Sequence, residues 1–283
     1  GPSPHPGGSA LEILQPHLTP RDRPIVLVGD GDQPQLLAPA PVDGVSPMQK
    51  LQMTTTGGEN THVIALNGNF DDAQSGVKAL FSSEDFHQQV NARGKVLSSA
   101  NSINFGRLVP QIVYYFSADA ALLNAGAIAL GDEVNFVVPT GNFGNILAGY
   151  YARSMGLPVK KLICASNRNN VLTDFFLGGV YDTRRQFFKT TSPSMDILIS
   201  SNLERLLFEC ADRDGALIAR WMQQLRTSQS YAVGQQRQEW LLSVFAAGYA
   251  DGRDCAEEIA RVVEQHHYLM DTQSAVASRV LRQ

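Results

Sequence analysis

Two short stretches concentrate groups that could hold an anion. Gly141, Asn142, Phe143, Gly144 and Asn145 follow an apolar run at 135–139 and precede a helical pattern at 146–155. Glycines at both ends let the backbone turn sharply, so that successive N–H groups and the start of the next helix converge on one point, where a phosphate fits. The pattern is neither a Walker loop, since the Gly-Lys-Ser/Thr ending is absent, nor the dinucleotide Gly-x-Gly-x-x-Gly. A tight strand-to-helix connection that binds nothing has the same local pattern. The second stretch, residues 98–107, is packed with small donors: Ser98, Ser99, Asn101, Ser102 and Asn104, ending in Arg107. These groups suit a carboxylate or a phosphate monoester, with a bidentate contact from the guanidinium. The plainer reading is helix capping by Ser102 or Asn104 and a surface Arg107.

A third polar run, residues 190–197, reads as a capping sequence before a helix over 195–210 that includes Ser200, Asn202, Glu204 and Arg205. No Ser/His/Asp arrangement and no Gly-x-Ser-x-Gly stands out. Asp71 and Asp72 read as helix N-terminal charges rather than an acid/base pair. His266 and His267 are adjacent, so on a helix they diverge and cannot readily share a metal; no metal site is expected. Cys164, Cys210 and Cys255 are odd in number and far apart, which suits a reducing compartment and a cytoplasmic location. A net charge of -4 gives no basic field for nucleic acid. No apolar run approaches the roughly 18 residues that a membrane span needs, and the Pro- and Gly-rich start is unlike a signal peptide.

The elements that must position these groups follow from the pattern of apolar residues. Strands are expected at 24–31, 62–66, 135–139 and 159–165, and helices at 71–81 and 146–155, an alternation typical of βαβ units around a mainly parallel sheet. The last third reads as helices over 195–210, 216–225, 239–246, 255–266 and 273–281. The expected organisation is an atypical segment at 1–44, part of a smaller α/β sub-domain at 45–97, and a larger α/β domain at 98–283 whose final third is helical.

Residues 44–50 with 52–55, then 68–72, 98–111, 138–145, 164–167 and 192–207, in that order, resemble threonine synthase, a fold-type II pyridoxal-phosphate (PLP) enzyme. The resemblance implies an α/β fold of that type, with mainly parallel sheets flanked by helices. It implies a lyase of amino-acid biosynthesis that converts O-phosphohomoserine and water to threonine and phosphate. Gly141, Asn142, Phe143, Gly144 and Asn145 would then hold the cofactor phosphate. Ser99, Asn101, Ser102, Asn104 and Arg107 would line the side of the cleft that takes the small phosphorylated amino-acid substrate. The sequence contains neither the family's Phe-Lys-Asp stretch, whose lysine bonds PLP, nor its Ser-Gly-Asp-Thr-Gly loop, nor its Thr-Ala-Ser-Pro strand, so the fold is expected to be truncated or degenerate at both ends. None of Lys50, Lys78, Lys95, Lys160, Lys161 and Lys189 stands in the missing lysine's context. Three readings follow: an active lyase, a homologue that binds phosphate-bearing ligands without bonding PLP, or part of a split enzyme completed by another chain or a homo-oligomer.

Overall fold

The structure, a computed structural model, describes residues 27–30, 33–41, 51, 55, 61–67, 76, 79–98 and 104–283. The chain divides into two compact units, Gly1–Asn101 and Ser102–Gln283.

In the first unit β1 (Leu27–Asp30) runs antiparallel to both β2 (Gln33–Pro41) and β4 (Val96–Ser98). Strand β2 is parallel to β3 (Thr61–Leu66), giving the order β3-β2-β1-β4. This sheet is therefore mixed. Helix α1 (Glu84–Asn91) starts where the Ser83 hydroxyl accepts the Phe86 amide, and it buries Phe86 and Val90, four residues apart on one face.

The second unit contains α2 (Phe105–Asn124), β5 (Val134–Pro139), α3 (Gly144–Ser154), β6 (Val159–Ser166), α4 (Val171–Gly178) and β7 (Val180–Asp182). There follow a 3-10 turn (Pro193–Met195), α5 (Leu203–Cys210), α6 (Gly215–Ser228), β8 (Ser230–Ala232), α7 (Gln235–Val244), β9 (Phe245–Tyr249), α8 (Gly252–His266) and α9 (Thr272–Leu281). Strands β5, β6 and β9 form a parallel sheet in that order, while β7 and β8 make a separate antiparallel pair. Side chains alternate across the parallel sheet as strand geometry demands. Val138, Leu162, Cys164 and Phe245 join one cluster with Ile146 and Leu147 of α3, Phe175 and Phe176 of α4 and Leu241 of α7. Val137, Ile163 and Ala165 face the other way, onto Val276, Ala277 and Val280 of α9. Burial on both faces explains why β5 and β6 read as nearly continuous apolar runs.

Two expectations change. Residues 239–246 do not form one helix: α7 ends at Val244 and the chain passes directly into β9. The small residues of Phe-Ala-Ala-Gly-Tyr carry little strand signal, and the strand exists because β6 offers it a ladder and α9 lies against it. A Cβ at Gly248 would stand 2.8 Å from the Val280 side chain, so glycine is what lets that helix approach. Nor is 195–210 one helix, because α5 begins only at Leu203. In between, backbone groups bond to a distant side chain instead of to helical partners: the Tyr181 hydroxyl donates to Leu198 O at 2.9 Å and accepts from Ser200 N at 2.9 Å.

Helices α8 and α9 are joined by charge. The Glu258 carboxylate, 2% exposed, accepts from Arg261 at 2.6 Å, Arg282 at 2.8 Å and Ser278 at 2.6 Å. Asp254 pairs with Arg279 alongside it.

Candidate functional site

The 141–145 turn leaves the carboxyl end of β5, the end of a parallel sheet from which ligand-binding loops ordinarily rise. Thr140 continues the ladder through its amide to Ala165 O at 2.8 Å, and then the chain reverses. Phe143 stands immediately before α3 with φ of 64°, in the left-handed region. For a residue with a Cβ that conformation costs about 1–2 kcal/mol. Its ring is 1% exposed, packs against both Phe176 (centroids 6.1 Å) and Phe245 (5.9 Å), which also touch each other (5.2 Å), and gains about 1.5–3 kcal/mol from burial plus the aromatic contacts, which outweighs the strain. The ring is thus an anchor that holds the backbone in the turned conformation. The helical ladder opens with Leu147 N on Phe143 O, so the amides of residues 144–146 precede it and carry the positive end of the α3 dipole.

The turn is braced from behind by residues 190–202. A Cβ on Gly141 would stand 2.8 Å from Ser194 O and 3.3 Å from Met195 Cα, so only glycine permits this approach. The Ser200 hydroxyl donates to Gly141 O at 2.8 Å, and Asn202 donates twice to Asn142 O. The bracing loop is in turn tied to the end of β6 by one carboxylate. Asp196 accepts from Asn167 Nδ2 (2.7 Å), Asn169 Nδ2 (3.0 Å), Thr190 Oγ1 (2.7 Å) and Thr190 N (2.8 Å). Both asparagines are buried, so each of these bonds also removes a polar group from an unfavourable setting.

Of the second anion stretch, Ser99, Asn101 and Ser102 lie outside the described residues. Asn104 caps α2, its Oδ1 accepting Gly106 N at 2.9 Å, and Arg107 is exposed one turn on. Helix α2 runs antiparallel to α3: Phe105 meets Tyr151 (centroids 6.3 Å), while ten residues later the Tyr115 hydroxyl donates to Asn145 Oδ1 (2.7 Å). The start of α2 therefore lies about 10 Å along α3 from the glycine turn, and the two helix N-termini do not point at a common spot. Tyr115 fixes this pairing, because its ring occupies the space a Cβ on Gly149 would need, only 2.6 Å away.

No protein-family model matches the chain. Over 242 residues it is 43% identical to the protein named threonine synthase-like 1 of Macaca fascicularis, covering 85% of this chain and 33% of that protein. Over 246 residues it is 42% identical to threonine synthase of Pseudomonas aeruginosa, covering 86% of this chain and 50% of that one. A crystal structure of PLP-bound threonine synthase from Brucella melitensis superposes with a TM-score of 0.76 at 42% identity, over 88% of this chain and 51% of the other. Across these stretches the chain is a homologue of the threonine synthases. It spans a third to about half of the length of these relatives. The α/β fold of this homologue, with a parallel sheet between helices, is of the fold-type II class that the sequence motifs imply.

By local pattern residues 190–202 read as a cap and a helix, which does not reveal Asp196, Ser200 and Asn202 as supports of the turn. The available signal was the density of Ser, Thr, Asn and Asp there without a helical apolar period. Among the described residues no group of His, Cys, Asp and Glu could hold a metal ion, and no helix is long and apolar enough to cross a membrane.

Proposed function

We propose that this chain is the phosphate-holding part of a threonine synthase-type site. Residues 141–145 take the phosphate of PLP. Ser99, Asn101, Ser102, Asn104 and Arg107 line the side for the phosphorylated amino acid, with O-phosphohomoserine, water, threonine and phosphate as the reactants and products. The observation that carries this reading is the left-handed Phe143 backbone, locked by its buried ring at the start of α3, which leaves the amides of residues 144–146 ahead of the helical ladder at the positive end of that helix. The donor set fits: neutral backbone amides and a helix N-terminus bind a phosphate dianion without a dedicated lysine. PLP, when bound, supplies the electron sink for chemistry at the amino-acid carbons. The chain's own contribution at this place is to bind and orient.

A second reading, binding without a covalent bond to PLP, is favoured by where two of the three described lysines of this unit stand. Lys160 and Lys161 lie at the amino end of β6, opposite the end from which the turn leaves, and Lys161 is engaged by Leu242 O (2.6 Å) and Ser243 O (2.9 Å) at the end of α7. Lys189 stands on the carboxyl side, next to Thr190 of the Asp196 cluster. Calorimetry of the purified chain with PLP and with pyridoxal, which lacks the phosphate, tests the phosphate site. Tighter binding of PLP supports it, and equal, weak binding of the two refutes it. Borohydride reduction of the PLP-treated chain followed by mass measurement separates the two readings: a labelled lysine favours the active lyase, and an unchanged mass favours non-covalent binding.

A further inference from the structure

A loop that offers its N–H groups to an anion must turn its carbonyl oxygens the other way and provide donors for them. A carbonyl turned inward repels the anion, and a buried carbonyl without a donor costs about 1–3 kcal/mol. In the 141–145 turn the two carbonyls concerned are satisfied from one direction. Gly141 O accepts from Ser200 Oγ at 2.8 Å. Asn142 O accepts from the Asn202 amide nitrogen at 3.1 Å and from Asn202 Nδ2 at 2.9 Å. Asn202 is 0% exposed, so neither donor has water as a substitute.

The side-chain amide of Asn202 is held in one sense. Arg205 Nη1 donates to its oxygen, and because a guanidinium only donates, the oxygen must face Arg205 and the nitrogen must face Asn142. The same guanidinium stands over the Phe105 ring, 5.9 Å from its centroid, at the first residue of α2. A continuous line thus runs from the start of α2 through Arg205 and Asn202 to the carbonyl side of the turn. It links the two stretches whose helix N-termini diverge.

We propose that Asn202, oriented by Arg205, is a positioning residue of the phosphate site. By keeping the Asn142 carbonyl turned away, it lets the amides of the turn converge on a phosphate. This rests on the reading that the turn takes a phosphate. A residue that merely fills space would support every ligand and the fold alike, whereas this role is felt by the phosphate alone.

The test compares pyridoxine 5′-phosphate with pyridoxine, neither of which has an aldehyde to react with lysines, by calorimetry alongside thermal unfolding. For Asn202→Ala the affinity for pyridoxine 5′-phosphate falls about tenfold, while that for pyridoxine stays within twofold. Ser200→Ala, which frees only the Gly141 carbonyl, gives a smaller loss in the same ligand. If Asn202→Ala does not fold, Arg205→Gln releases the amide from the more exposed side and produces a phosphate-specific loss of at least threefold. Unchanged phosphate affinity in these variants, or parallel loss of both ligands, overturns the role of Asn202. A wild-type chain that does not prefer the phosphorylated ligand overturns the phosphate site as well, which separates the two failures.

Discussion

Replacing Gly141 by alanine sets two effects of opposite sign against each other. Gly141 is not in the left-handed region, so an alanine backbone is allowed there, and reducing the freedom of the unfolded chain stabilises by about 0.4–1 kcal/mol. Against this, the added Cβ would sit 2.8 Å from Ser194 O and 3.3 Å from Met195 Cα. Both neighbours are backbone, in a loop pinned by four hydrogen bonds to Asp196, so neither can swing aside as a flexible side chain would. Overpacking of this kind costs about 1–3 kcal/mol. The steric term wins: the expected net loss is about 1–2 kcal/mol, a fall in Tm of roughly 2–8 °C for a chain of this size. The turn must shift by some tenths of an ångström, and pyridoxine 5′-phosphate affinity drops at least tenfold. Thermal unfolding and calorimetry on the same preparation measure both. A Tm equal to or above wild type with full phosphate affinity would refute the claim that close backbone approach shapes the cradle.

Three further outcomes follow from other parts of the fold. The guanidinium of Arg261 and the hydroxyl of Ser278, with Arg282, hold the Glu258 carboxyl down to about 2 from its ordinary 4.5. A carboxyl whose folded value is lowered contributes stability above its unfolded value and loses it as pH falls. The contribution, at most about 3 kcal/mol, should therefore be complete above pH 4.5 and vanish toward pH 2, and the Tm gap between wild type and Glu258→Gln should close over that window. Tyr115→Phe removes the donor to Asn145 but keeps the ring against Gly149, and should lower stability by about 1–1.5 kcal/mol in a denaturant titration. Burial pushes the Cys164 thiol up to about 12, with the Thr140 and Ser166 hydroxyls only partly offsetting it, and pushes Cys210 and Cys255 to about 11. At pH 8 a thiol reagent should label the native chain far more slowly than the unfolded one; rapid labelling of Cys164 in native protein would count against the enclosed core.

What the sequence disclosed depended on the range of the interactions that decide each element. Strands β5 and β6 and helix α3 were legible because long apolar runs and a glycine turn are local signals, and Asn104 was legible as a cap because its partner is two residues away. Strand β9 was not, since its small residues become a strand only through the ladder to β6. The contact of Asn202 with Asn142 spans sixty positions and leaves no local trace. Asp196 looked like one more polar residue before a helix, although it gathers donors from its own loop and from the loop after β6.

The junction at Val244 and Phe245 has a consequence for the evolution of chain length in this fold. Helix α7 passes into β9 without an intervening loop, the backbone going straight from the last helical residue to an extended Phe245. Most connections tolerate an added or lost residue because slack absorbs it. Here there is none. One inserted residue would either unwind the end of α7, which Lys161 holds by two carbonyls, or slide β9 by one register and exchange its two faces. Phe245 would then leave the aromatic cluster that anchors Phe143. Insertions and deletions should accordingly be filtered out at this seam, even though it lies in sequence a hundred residues from the turn it supports.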